Sequence, residues 1–163
     1  MRRAFLVLLF VLLPFPASSQ SAATHTVEVL DLQLAMRAAL RAVEVCNEAG
    51  YQAGAAVVDR FGVEQVTLRN NMGGAQVSEA ARSKARTAAS FNMPTLELEQ
   101  QVAEGRAGDL SAMPGVVPLG GGLPILTASG TLLGGIGVAG GGGSENEAKC
   151  AQAGLDAIAD QLK

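Results

Sequence analysis

Fourteen of the chain's 20 glycines fall between Gly105 and Gly143. A helix interior loses about 1 kcal/mol for each glycine that replaces alanine, so this half must consist of turns and strands whose backbone is held close to something else. Three apolar runs inside it, residues 116–119, 123–128 and 131–139, predict three strands, with Ser129-Gly130 as a tight turn between the last two. The first half reads differently. Asp31 is placed to cap a helix running to about Ala49, and Gly50 to end it in the left-handed conformation. Residues 54–59 and 63–69 are rich in Val and read as a hairpin turned at Asp59-Arg60-Phe61-Gly62. A polar loop over residues 70–76 follows, and Ser78 begins a second helix that stops at about Phe91, ahead of Pro94. Thr95 caps a short third helix ending near Gly105. Ser144 caps a closing helix over residues 145–162, with Glu145 and Glu147 in its first turn, where the helix dipole favours negative charge. This order of elements predicts an α/β (α+β) domain: a five-stranded, mostly antiparallel sheet flanked by helices.

The N-terminus has its own logic. Arg2 and Arg3 precede an apolar stretch, residues 4–15, and then a run of small residues up to Ala23, which is the layout of a secretory signal. The apolar stretch is well short of the roughly 20 residues a spanning helix needs. The expected organisation is therefore a signal peptide over residues 1–23, cleaved after Ser19 or Ala23, and one domain over residues 24–163. That domain would be periplasmic or secreted, with no stable membrane anchor.

Without Arg2 and Arg3, ten basic residues face 15 acidic ones. The mature chain is acidic and has no basic stripe or aromatic stacking series, so nucleic acid is excluded as a partner. In an exported chain, Cys46 and Cys150 have two readings: a disulfide, or two small buried thiols. Cys46 continues the apolar stripe Leu32, Met36, Ala39, Val43, and Cys150 opens the stripe Gly154, Ala157, Ile158. If the first and last helices pack antiparallel, the sulfurs meet.

Four segments resemble the GlcG/HbpS family of small haem-binding or haem-degrading proteins, and through it the C-terminal domain of PduO-type cobalamin adenosyltransferases. They are Ala55-Ala56-Val57-Val58-Asp59 with Gly62; residues 80–89 with Met93-Pro94-Thr95; Pro118-Leu119-Gly120-Gly121-Gly122-Leu123-Pro124-Ile125; and residues 133–141. The resemblance implies a profilin-like α/β/α domain, homo-oligomerisation and tetrapyrrole binding, with haem as the cofactor. In the loop after the hairpin the chain departs from the commoner Arg-Met-Asp-Gly-Ala pattern, reading Asn70-Asn71-Met72-Gly73-Gly74 while keeping Arg69 and Met72.

Candidate ligand-binding residues follow. The amides of the glycine run ending at Gly141 to Gly143, just before Ser144, make an anion pocket at a helix start. Gly120, Gly121 and Gly122 belong to a second glycine loop. Lys84 is available to pair with an anionic ligand group. Iron needs an axial ligand, but the single histidine, His25, sits beside the cleavage region, which leaves Met72 and Met113 in loops, then Met93 and Tyr51. Catalytic machinery is not evident. No histidine is placed for a Ser/His/Asp arrangement, both cysteines fall on apolar stripes, and Glu97 and Glu99 point to different helix faces. The Gly135–Gly140 segment spells a dinucleotide-type pattern, but its acid, Asp156, lies in the last helix rather than on a following strand. The leading reading is an exported small-molecule-binding protein. The alternatives are an enzyme acting on a small organic acid or redox cofactor through Asp59 and Lys84, and an accessory subunit of an exported dehydrogenase.

Overall fold

The computed structural model describes residues 23–163, so the expected leader lies outside the described residues but for Ala23. Asp31 caps the first helix, α1 (Leu32–Glu48), by accepting the Gln33 amide at 2.8 Å. Gly50 follows with φ +87°. The hairpin of β1 (Gly54–Asp59) and β2 (Glu64–Arg69) is closed by Asp59, whose carboxylate accepts the amides of Phe61 and Val63. The second helix, α2 (Ala75–Phe91), begins three residues earlier than expected and ends at Asn92 in the left-handed conformation. Then come α3 (Thr95–Ala103), a 3-10 turn (Leu110–Ala112), β3 (Gly122–Leu126), β4 (Leu132–Ala139) and α4 (Ser144–Asp156).

The sheet has four strands, not five, in the order β2-β1-β4-β3, and every pairing is antiparallel. The segment expected as a further strand, residues 116–119, runs as an irregular stretch. Its backbone is satisfied by side chains instead of a ladder. The Val117 amide donates to Thr87 Oγ1 (2.9 Å), and the Leu119 carbonyl accepts from Thr95 Oγ1 (2.6 Å). Pro118 removes a further donor.

Alternation along β1 divides the core between the two faces of the sheet. Ala55 and Val57 join α1 and α4 over Ile125, Ile136, Val138 and Ile158. Ala56 and Val58 turn to α2, where they meet Ala81, Ala85 and Ala89. Here α2 lies almost on the backbone of β4: a Cβ at Gly135 would sit 2.3 Å from the Ala85 carbonyl oxygen, and one at Gly137 would sit 2.1 Å from that of Ala81. The Gly135–Gly140 pattern is thus a packing device within and just after β4. On the opposite face, Gly154 faces Ala38 and Ala42 while Cys150 bonds to Cys46, so α1 and α4 run antiparallel. The two buried cysteines form the disulfide, with Cα atoms 5.6 Å apart.

The closing helix is shorter than expected. It stops at Asp156, and a 3-10 turn (Ala159–Gln161) carries the chain on, burying Ile158 and offering the Leu162 carbonyl to the Ala128 amide. No helix among the described residues is long and apolar enough to cross a membrane.

Candidate functional site

Lys84 lies among the buried alanines of α2, three residues after Ala81 and four before Ala88, a spacing that places it on the inward stripe. Glu147 stands one turn before Cys150 on the inward stripe of α4. The two side chains meet where the layers converge beyond the end of β4, and Lys84 Nζ bonds to Glu147 Oε2. Both are shielded from solvent, with side chains 6% and 10% exposed. A charge in such surroundings persists only if it is paired and hydrogen-bonded. Glu147 meets that condition, since its second oxygen accepts the Gly141 amide at 3.0 Å. Lys84 has three N–H donors, of which the Glu147 bond uses one.

The glycines around the pair are there because nothing larger fits. At Gly121, with φ +111°, a Cβ would lie 2.6 Å from the Val138 carbonyl oxygen and 3.3 Å from Lys84 Nζ. At Gly141 it would strike Glu147 Cγ and Cys46 Sγ, at 2.8 and 2.9 Å. Gly122 is held from the other side by Thr95, whose hydroxyl accepts its amide at 2.8 Å. Thr95 therefore does not cap α3, where Pro94 occupies the cap position. It ties the 119–122 loop to that helix. Glu99 extends the tie by accepting the Gly120 amide at 2.7 Å. Ser144 is likewise the first residue of α4 rather than its cap, and makes no capping bond; Gly143 holds that position with φ +123°.

Above the ion pair opens a cleft of about 400 Å³. Lys84 and Glu147 form its charged part, Val77, Ala80, Val117, Leu119 and Ala139 its apolar walls, and Gln76, Gly140, Gly143 and Ser144 the remainder. Of the candidates read from the sequence, Lys84 and Ser144 line it, while Gly120, Gly121, Gly122 and Gly141 shape the backbone behind it. Arg69, Met72 and Met113 do not line it. Arg69 folds back onto the carbonyls of Asn70, Asn71 and Gly73. Met72 is 79% exposed in that loop, and Met113 stands after the 3-10 turn. Met93 accepts from Gln101, Tyr51 accepts from Asn146, and His25 is exposed near the start of the described residues. Asp59 is committed to its hairpin. Among the described residues no cluster of three or more His, Cys, Asp or Glu side chains is arranged to hold a metal ion.

The model of the HbpS-like haem-degrading proteins matches residues 30–156. The chain belongs to this family. Among solved structures, HbpS of Streptomyces reticuli, crystallised as a double mutant with two glutamates changed to aspartate, is 37% identical. The match covers 89% of this chain and 97% of that one, with a TM-score of 0.78. The PduO C-terminal domain in complex with haem is 33% identical over 80% of this chain and 96% of its own, with a TM-score of 0.72. The ORFY protein of Klebsiella pneumoniae is 25% identical over 86% and 97%, with a TM-score of 0.79. A comparison with curated proteins finds no match.

As an HbpS-like protein, the chain carries a cleft that suits one part of a haem better than another. The apolar walls suit the macrocycle face, and the free donors of Lys84 suit an oxygen at its edge. The residues lining the cleft would offer a haem iron neither imidazole, thiolate nor thioether.

Sequence reasoning missed Glu147 as a partner, and with it Thr87, Thr95 and Glu99 as the anchors of the 117–122 segment. For Glu147 a signal was available, because its spacing to Cys150, Ala151 and Gly154 is that of a buried stripe.

Proposed function

We propose that this is an exported small-molecule-binding protein whose cleft takes haem or a related tetrapyrrole, and that it acts as a homo-oligomer in the periplasm or outside the cell. The observation that carries the ligand reading is the apolar cleft above the buried Lys84–Glu147 pair, in a chain of the HbpS-like family that is similar to a domain crystallised with haem. Lys84, Ser144 and the backbone of the Gly120–Gly122 and Gly140–Gly143 loops would hold the ligand. Bound haem would supply a redox-active iron, and the protein's part is to bind and orient the macrocycle. Export is supported by the leader-like N-terminus and by the Cys46–Cys150 bridge, which belongs in an oxidising compartment. Self-association is supported by the exposed stripe Leu32, Met36 and Leu40 along α1.

Titrating the purified protein with haem and following the Soret band tests this reading. Saturable, near-stoichiometric binding is expected, unchanged in Met72→Ala and Met113→Ala because neither side chain lines the cleft. A response that never saturates would remove haem as the ligand.

A further inference from the structure

A second cleft, of about 440 Å³, adjoins the first. It lies against α3, between Glu99, Val102 and Ala103 on one side and Ser111, Val116, Val117, Pro118 and Leu119 on the other. Val117 and Leu119 line both clefts, so the irregular 116–119 segment stands between them as a ridge. The ridge is built rigidly. Thr87, Thr95 and Glu99 hold the backbone at Val117, Leu119 and Gly120, and the Pro118 ring is buried. Only the Leu119 side chain escapes, 49% exposed at the boundary. Binding sites for drug-sized ligands occupy roughly 300–1,000 Å³ and bury most of the ligand's surface. Either cleft alone lies at the low end of that range.

We infer that the two clefts form one extended site, and that the ligand is a broad, flat, mostly apolar ring system that lies across Leu119 with one lobe on each side. This rests on the tetrapyrrole reading and adds to it the α3 cleft and Leu119 as the residue that selects for width. Two features give the site polarity. On the α2 side, Lys84 offers unused donors to a ligand oxygen. On the α3 side, Glu99 keeps one carboxylate oxygen beyond the one that takes the Gly120 amide. A narrow, single-ring ligand would occupy one cleft and be indifferent to residues that line only the other, Gln76 on the α2 side or Ala103 on the α3 side.

The test uses metal-free protoporphyrin, which reports by fluorescence and separates recognition of the ring from ligation of iron. Gln76→Trp blocks the α2 cleft and Ala103→Trp blocks the α3 cleft, both at exposed positions where the fold tolerates a larger side chain. Each should weaken protoporphyrin binding about tenfold or more, and Leu119→Asp should weaken it further, with thermal melting unchanged in all three. If Gln76→Trp weakens binding while Ala103→Trp leaves it intact, the extended site is wrong and the single-cleft reading stands, whatever Leu119→Asp does, because Leu119 lines both clefts. If the unaltered protein binds neither protoporphyrin nor haem, the tetrapyrrole reading falls and this inference falls with it.

Discussion

On the α1/α4 face of the sheet the core sets branched aliphatic side chains, Val57, Ile125, Ile136, Val138 and Ile158, against the alanines of α1, and the Cys46–Cys150 bond fastens it. On the α2 face it consists of Ala56, Val58, Ala81, Ala85 and Ala89 set against the bare backbone of Gly135 and Gly137. Where the first face rests on its aliphatic side chains it gains stability from buried area, at about 25 cal/mol per Å², and can lose it in small steps; the close approach of Gly154 to the Ala38 carbonyl oxygen lies between its two helices, not against a strand. The second gains little area per residue and depends on close approach, so a single added methyl meets backbone rather than a side chain that can move. The site lies against this less forgiving face, because close approach of α2 is what brings Lys84 across to Glu147 on α4.

Substitutions should expose the difference. The largest effect is expected from Gly137→Ala, whose Cβ would lie 2.1 Å from the Ala81 carbonyl oxygen and 2.5 Å from the Ala85 amide nitrogen. A loss on the order of 4 kcal/mol or more should appear in urea unfolding, together with loss of ligand binding as α2 lifts. On the other face, Cys46→Ser with Cys150→Ser opens a loop of 104 residues and should cost about 2–5 kcal/mol, with the fold retained at low temperature. Ile136→Val, in the same aliphatic core, should cost only about 0.5–1.5 kcal/mol. An outcome in which Gly137→Ala is milder than Ile136→Val would break the comparison.

The smallest effect is electrostatic. Burial pushes the Glu64 carboxyl up, but its hydrogen bonds, that from the Arg82 guanidinium among them, outweigh this and hold it below its ordinary range. A carboxyl depressed in the folded state adds stability above its unfolded pKa and loses it as pH falls through the folded value. With side chains 33% and 24% exposed, the pair is screened by solvent and is worth a fraction of a kcal/mol, roughly 0.2–1. Acid titration of unfolding below about pH 4.5 should be slightly less steep in Glu64→Gln.

The same contrast explains what could be read from the sequence. Local signals carried far: the Asp31 cap, the Asp59–Gly62 turn, the stop before Pro94, and the two stripes that brought Cys46 to Cys150. Each depends on residues a few positions apart or on one helical period. The fifth strand failed because an apolar run with Pro118 in it has two ways to satisfy its amides. The choice was made by Thr87 and Thr95, which are 30 and 24 residues distant from their partners. The Lys84–Glu147 pair spans 63 residues, and neither charge announces a partner until the layers are assembled. Ser144 was expected as a cap because serine commonly caps, yet Gly143, free to adopt positive φ, took the position and left Ser144 facing the cleft.

Amide chemical shifts during a protoporphyrin titration test the central claim most directly, since they report which part of the molecule meets the ligand. Shifts are expected at Val117, Gly121 and residues 140–144, saturating together, with α1 unaffected. Shifts gathered instead around Leu32, Met36 and Leu40, with Gly121 and Gly141 unmoved, would contradict it and place binding on the aliphatic side of the sheet.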